Sequence, residues 1–94
     1  MNITKYNNIL KEYKAKTFER GDIIFQEGDN CYEVAIIKSG EVKISTITTN
    51  EKEEIISVLK DGEIFGNNLI FSSEPIYLGD VVVTRKSEII FLNE

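Results

Sequence analysis

The feature that most constrains this chain is a ladder of short apolar runs cut repeatedly by glycine. Gly21-Asp22-Ile23-Ile24-Phe25-Gln26-Glu27-Gly28-Asp29 opens it, Ser39-Gly40-Glu41-Val42 continues it, and Asp61-Gly62-Glu63-Ile64-Phe65-Gly66 follows. β-Branched and aromatic runs bounded by Gly, Asp and Asn are strand and turn signals. Glycine supplies the backbone conformations that tight reversals need. A chain patterned in this way folds as strands, not as a helical bundle.

The pattern predicts strands near Thr17–Phe18, Ile23–Phe25, Glu33–Ile37, Glu41–Ile47, Glu54–Leu59, Glu63–Phe65, Gly79–Thr84 and Ser87–Leu92. Val42 and Ile44 alternate with Lys43 and Ser45, as a half-buried strand requires. Val81-Val82-Val83 and Ile89-Ile90-Phe91-Leu92 are continuous apolar runs, which fits strands covered on both faces or lying at a dimer seam. Thr48-Thr49-Asn50-Glu51-Lys52 reads as a polar hairpin tip. Two segments depart from the strand pattern. Ile3, Tyr6, Ile9, Leu10 and Tyr13 recur at helical spacing, with Lys11, Lys14 and Lys16 towards the end, so a helix is predicted over about 3–14. Asn67-Asn68-Leu69-Ile70-Phe71 can form one capped helical turn, and Ser72-Ser73-Glu74-Pro75 then turns the chain.

The 94 residues make one small domain, near the lower limit for a self-supporting core. A hydrophobic share of 41% beside 29% charged residues is a globular balance and not that of a disordered tail. No apolar run approaches the length of a membrane span and no basic-then-apolar leader is seen, so a cytoplasmic protein with no membrane partner is expected. The net charge of −5 argues against the chain itself holding nucleic acid, because such affinity comes largely from neutralising phosphates. Residues 1–20 carry five bases against two acids and the rest six against fourteen, which reads as a basic, solvated helix face on an acidic body.

Histidine is absent, which removes the commonest metal ligand and the commonest general base together. The single cysteine, Cys31, allows no internal disulfide and no cysteine-only metal site. No metal site, no cofactor and no catalytic residue are expected, and the chain is not read as an enzyme. Cys31 lies in a turn before a strand, with no resolving partner or cation beside it in sequence, so a structural thiol is expected.

The glycine ladder resembles the β-roll of cyclic-nucleotide-binding domains, the sensor half of Crp/Fnr-type bacterial transcription regulators. Gly21, Gly28, Gly40, Gly62 and Gly66, with Phe25, Phe65 and the Ile/Val strands between them, carry the resemblance over roughly residues 15–92. The alternative is an unrelated small β-barrel with glycine hairpins. The resemblance implies a mainly β fold, an antiparallel β-roll (double-stranded β-helix, jelly-roll-like) spanning about 15–92 of a single 1–94 domain. An N-terminal helix and a short cassette helix would complete it. It also implies a C-terminal dimerisation helix and a helix-turn-helix domain that this chain does not contain. The sequence is therefore expected to be a truncated sensor domain, with a naturally short one as the alternative. DNA would be contacted only through that missing part, and the full-length protein is expected to be a homodimer.

The ligand signal departs from the family's. Members that bind nucleotide use a helix N-terminus, an acid for the ribose and an Arg-Ser pair for the phosphate. Here Asn67 stands in the acid's position after Phe65-Gly66. Tyr77 and Leu78 stand in those of arginine and serine, and a one-residue slip gives Ile76 and Tyr77 instead. Between Asp61 and Thr84 there is no Lys or Arg, while Asp61, Glu63, Glu74 and Asp80 are acidic. A desolvated phosphate without a cation is costly. Losing the bidentate contact costs several kcal/mol, or roughly a thousandfold in affinity. Binding of cyclic AMP or cyclic GMP is not expected.

The degenerate cassette, Gly66, Asn67, Asn68, Leu69, Tyr77 and Leu78, is the candidate ligand site. Either Tyr77 and Leu78 line a pocket for a neutral small-molecule effector, or they fill the cavity and leave a protein-interaction or dimerisation module. The family's iron–sulfur branch uses four cysteines and its haem branch His or Cys ligands, so one Cys and no His argue against both. Cupin-type enzymes share the strand pattern but depend on histidine ligands.

Overall fold

The computed structural model describes residues 14–67 and 73–93. They form β1 (Lys16–Phe18), β2 (Ile23–Phe25), β3 (Glu33–Ile47), β4 (Glu53–Lys60), β5 (Ile64–Phe65) and β6 (Asp80–Asn93). All pairings are antiparallel. The sheet runs β1-β6-β3-β4, with β2 added along β6 and β5 along β3. This is the mainly β, antiparallel architecture that the glycine ladder implies. The predicted helices over 3–14 and around Asn67–Phe71 fall, apart from their edge residues, outside the described residues.

Four of the predicted strands merge in pairs. Glu33–Ile37 and Glu41–Ile47 are two halves of β3, and Gly79–Thr84 and Ser87–Leu92 become the two halves of β6. Gly40 is therefore a bend inside one strand and not the turn between two. It has φ +113°, and a Cβ there would lie 2.6 Å from Ser87 Cα. Around it the register shifts repeatedly, from Ile37↔Ile89 to Val42↔Val83, so five steps along β3 match six along β6. An odd offset reverses which parity of side chains faces inward. Ala35 and Ile37 point into the core before the bend, and Val42 and Ile44 after it. Ser87, 1% exposed, fills the bend: its Oγ accepts from Glu41 N (3.0 Å) and donates to Arg85 O (2.6 Å).

The five glycines that carry the ladder are those with positive φ, between 83° and 113°. Turn-closing carboxylates accompany them, Glu63 among them, which accepts from Lys60 N around Gly62. Asp22 accepts from Glu19 N and Asp29 accepts from Gln26 N, each fixing the loop ahead of a glycine reversal or beside it. The polar tip 48–52 closes the β3–β4 hairpin through Thr48 N to Lys52 O, with Glu51 left-handed at φ 61°.

The main core is enclosed by the bent sheet. Cys31, Ala35, Ile37, Val42, Phe65, Tyr77, Val81, Val83 and Ile89 are buried there, with Phe18, Phe25 and Phe91 packed against them. A second, smaller cluster lies on the other face of β3 and β6, around Ile36 and Ile90. Ile89 and Ile90, adjacent in sequence, are both buried, as the continuous apolar run at the end of β6 predicts.

Candidate functional site

A cleft of about 370 Å³ opens where β5 ends. Ile44 of β3, Ile56, Ser57 and Leu59 of β4, and Ile64 and Phe65 of β5 form its walls, and Gly66, Asn67, Tyr77 and Leu78 complete it. Four of the six predicted site residues thus share one cavity. Asn68 and Leu69 lie outside the described residues. Ile76 does not line the cleft; it bridges to Asn30, so the Tyr77-Leu78 register faces the cavity.

Local backbone rules explain how these groups meet. Gly66 has φ +87°, and a Cβ there would stand 2.7 Å from the carbonyl oxygen of Glu33, so only glycine lets the chain leave β5 against the start of β3. On the opposite wall the β3–β4 register slips between Ile44 and Ser45: Ser57 pairs with Ile44 and Ile55 with Ser45, leaving Ile56 without a partner. Such a bulge re-aims side chains, and the consecutive Ile56 and Ser57 both line the cleft. β4 is a wall of the cleft that the strand pattern alone does not mark. The doublet Ile55-Ile56, which breaks apolar alternation, was its available signal.

Tyr77 turns inward. It is 2% exposed, and its ring lies stacked on Phe25 with centroids 4.5 Å apart and planes 12° from parallel. Its backbone is tied to the loop opposite, with Tyr77 N donating to Asp29 O and Gly28 N to Tyr77 O. Its hydroxyl lies 3.6 Å from the Cys31 thiol, itself 3% exposed and within reach of the carbonyls of Glu33 and Gly66. Burial pushes the phenol pKa far above its ordinary value, and the Cys31 contact and the carboxylates of Glu33 and Asp29 push it the same way. The hydroxyl is therefore neutral at any physiological pH. Leu78 does the reverse, standing 66% exposed at the rim. Asn67 is also exposed.

No lining residue among those described carries a charge. Arg85, the first cation in sequence after the cassette, lies elsewhere, beside Glu41 at 3.9 Å and largely in solvent. The described residues of the cleft therefore offer apolar contact, the Ser57 hydroxyl and the Asn67 amide, and no cationic side chain for an anion.

The family model for the cyclic nucleotide-binding domain matches residues 15–94. The chain belongs to the cyclic nucleotide-binding domain family. It is 25% identical over 79 residues to the anaerobic regulatory protein of Bacillus subtilis, covering 84% of this chain and 33% of that protein. It is 30% identical over 67 residues to the CRP-like cAMP-activated global transcriptional regulator of Mycobacterium tuberculosis, covering 71% of this chain and 30% of that one. It thus spans about a third of the length of these Crp/Fnr-type relatives. Among solved structures, a transcriptional regulator from Thermotoga maritima superposes with a TM-score of 0.83 at 29% identity, over 100% of this chain and 70% of that one. The relatives are regulatory proteins. Among the described residues of this cyclic nucleotide-binding domain no helix is long and apolar enough to cross a membrane.

Proposed function

We propose that this chain is the effector-sensing domain of a Crp/Fnr-like transcription regulator whose cleft has given up cyclic nucleotides. The observation that carries the reading is the uncharged lining of the cleft among the described residues, with a buried, neutral tyrosine where the resemblance would put the phosphate-binding arginine. One relative is cAMP-activated by name.

The effector would be a neutral, largely apolar small molecule. A volume of about 370 Å³ falls within the range of small-molecule sites, and Tyr77 packs beneath the cavity without filling it. Since the Tyr77 hydroxyl is engaged by Cys31, the polar contacts fall to Asn67 and Ser57. Effector binding would act by shifting a conformational population in a homodimer, and DNA would be contacted through a separate C-terminal domain. A regulatory, non-enzymatic role in the cytoplasm completes the proposal.

A second reading, a stand-alone interaction or dimerisation module, draws on a different observation. Ile55, Ile56 and Val58 of β4 stand 53%, 49% and 44% exposed on a strand paired only to β3 among the described residues.

Thermal unfolding with cyclic AMP and cyclic GMP at millimolar concentration tests the main proposal. A specific ligand at a hundred times its Kd stabilises by about 2.7 kcal/mol, more than about ten degrees at roughly 4–8 °C per kcal/mol in a small domain. We expect no shift with either nucleotide. A shift of that size would overturn the proposal.

A further inference from the structure

An unbroken series of aromatic rings leads from the cleft to the last strand. Tyr77 stacks on Phe25 of β2, and Phe25 meets Phe91 of β6 edge-to-face at 6.1 Å. Phe91 meets Phe18 of β1 in the same manner at 6.1 Å, with the Lys16 ammonium 5.5 Å from its ring centre. Among the described residues no ring pair joins Tyr77 to Phe91 directly; Phe25 pairs with both. Phe25 also abuts Phe65, another wall of the cleft, at 6.5 Å and 73°.

We propose that the Tyr77–Phe25–Phe91 series is the device by which the state of the cleft is passed to the C-terminal end of β6. Three observations support it. Tyr77 and Phe65 border the cavity and touch the same ring, so both walls bear on Phe25. A close-packed interior transmits a displacement instead of absorbing it. Offset and edge-to-face ring pairs are also directional, so tilting one ring changes the preferred pose of the next. Phe91 is the receiving end because it belongs to the main core while its neighbour Ile90 belongs to the opposite cluster. A tilt of Phe91 therefore twists the end of β6 relative to β3, where Phe91 pairs with Ala35 and Ile90 with Ile36. The regulatory role of the device rests on the sensing function proposed above; the coupling itself does not need an effector.

The test uses side-chain NMR of the 94-residue chain with no ligand present. Tyr77→Leu removes the first ring. We expect the Phe91 ring signals to shift while the Ile90 δ-methyl, on the other face, stays in place. In a Phe25→Leu background the same Tyr77→Leu change should leave Phe91 unmoved. Should Tyr77→Leu fail to fold, Tyr77→Met, which fills similar volume without a π face, carries the same readout. Phe91 signals unmoved by Tyr77 substitution in a folded chain would overturn the proposal. So would equal movement with and without the Phe25 ring, or equal movement of Ile90. Because no effector enters the experiment, these outcomes leave the sensing proposal untouched, and a failure to find an effector leaves the coupling untouched.

Discussion

The hydroxyl of Tyr77 and the thiol of Cys31 lie 3.6 Å apart in the core beneath the cleft, and neither side chain is more than 3% exposed. Two residues far apart in sequence thus satisfy each other in the core. The contact makes Tyr77 a packing residue, and its consequences are measurable.

The first is pH dependence. The folded-state pKa of Tyr77 lies above its unfolded value of about 10, chiefly through burial. Its contribution to stability is therefore complete below about pH 10 and is lost as pH rises towards the folded value. Each pH unit in that window removes up to about 1.4 kcal/mol. Tyr77→Phe has no phenol to ionise. The stability of the parent minus that of Tyr77→Phe should fall between pH 9 and 11.5. Parallel curves would show that the hydroxyl is not held in a buried, neutral state.

Cys31 should behave as a packing residue. At 3% exposure its thiol is shielded from reagents, so a thiol-specific reagent should label it only as fast as the domain opens, with full reaction in denaturant. Cys31→Ala should cost about 1–2 kcal/mol, since it removes buried volume and one contact to Tyr77. Immediate, stoichiometric labelling of the folded chain would contradict the burial and reopen a reactive role for this cysteine.

The glycine ladder made the fold legible because positive φ is a local requirement that sequence reports directly. All five marker glycines have it, and Gly79, outside the ladder, does not. Strand continuity was less legible. Gly40 reads as a turn, yet it bends a single strand, because Ser87 from β6, 47 positions away, occupies the space beside it. The candidate site divides the same way. Gly66, Asn67, Tyr77 and Leu78 could be placed from their order after Phe65. The walls Ile44, Ile56 and Ser57 depend on a hairpin register and its bulge, which are non-local. That Tyr77 alone would turn inward, on to Cys31 and Phe25, while Leu78 stays at the rim, had no sequence signal.

The bend at Gly40 should be among the least tolerant positions. Gly40→Ala places a Cβ within 2.6 Å of Ser87 Cα at a φ of +113°. Conformational strain and a backbone clash together should cost at least about 2 kcal/mol. Combining it with Ser87→Ala should not restore stability, because the clash with the Ser87 backbone remains and the Oγ bond to Glu41 N is lost. Full rescue by Ser87→Ala would mean that only the hydroxyl had been in the way. Chemical denaturation of the two variants decides it.

The last prediction rebuilds what the cleft lacks. Asn67→Glu, Tyr77→Arg and Leu78→Ser together restore an acid, a cation and a hydroxyl at positions that share the cavity. The triple variant should gain weak but detectable affinity for a cyclic nucleotide, and Tyr77→Arg alone should supply most of the gain, because the phosphate's charge dominates the desolvation cost. It should also lose stability. The new guanidinium must leave the space beside Phe25 and the Cys31 thiol, and the stacked pair and its hydroxyl contact are lost with the ring. A loss of about 3–5 kcal/mol is expected for emptying a buried aromatic position, partly recovered when nucleotide is added. Ile76→Arg with Tyr77→Ser, the alternative register, should gain nothing, since Ile76 bridges to Asn30 and does not line the cleft. Calorimetric titration of both variants with cyclic AMP checks this. Equal binding by the Ile76→Arg variant would show that the register is wrong. A folded triple variant that binds nothing would show that the cavity cannot admit the nucleotide, which would favour the interaction-module reading.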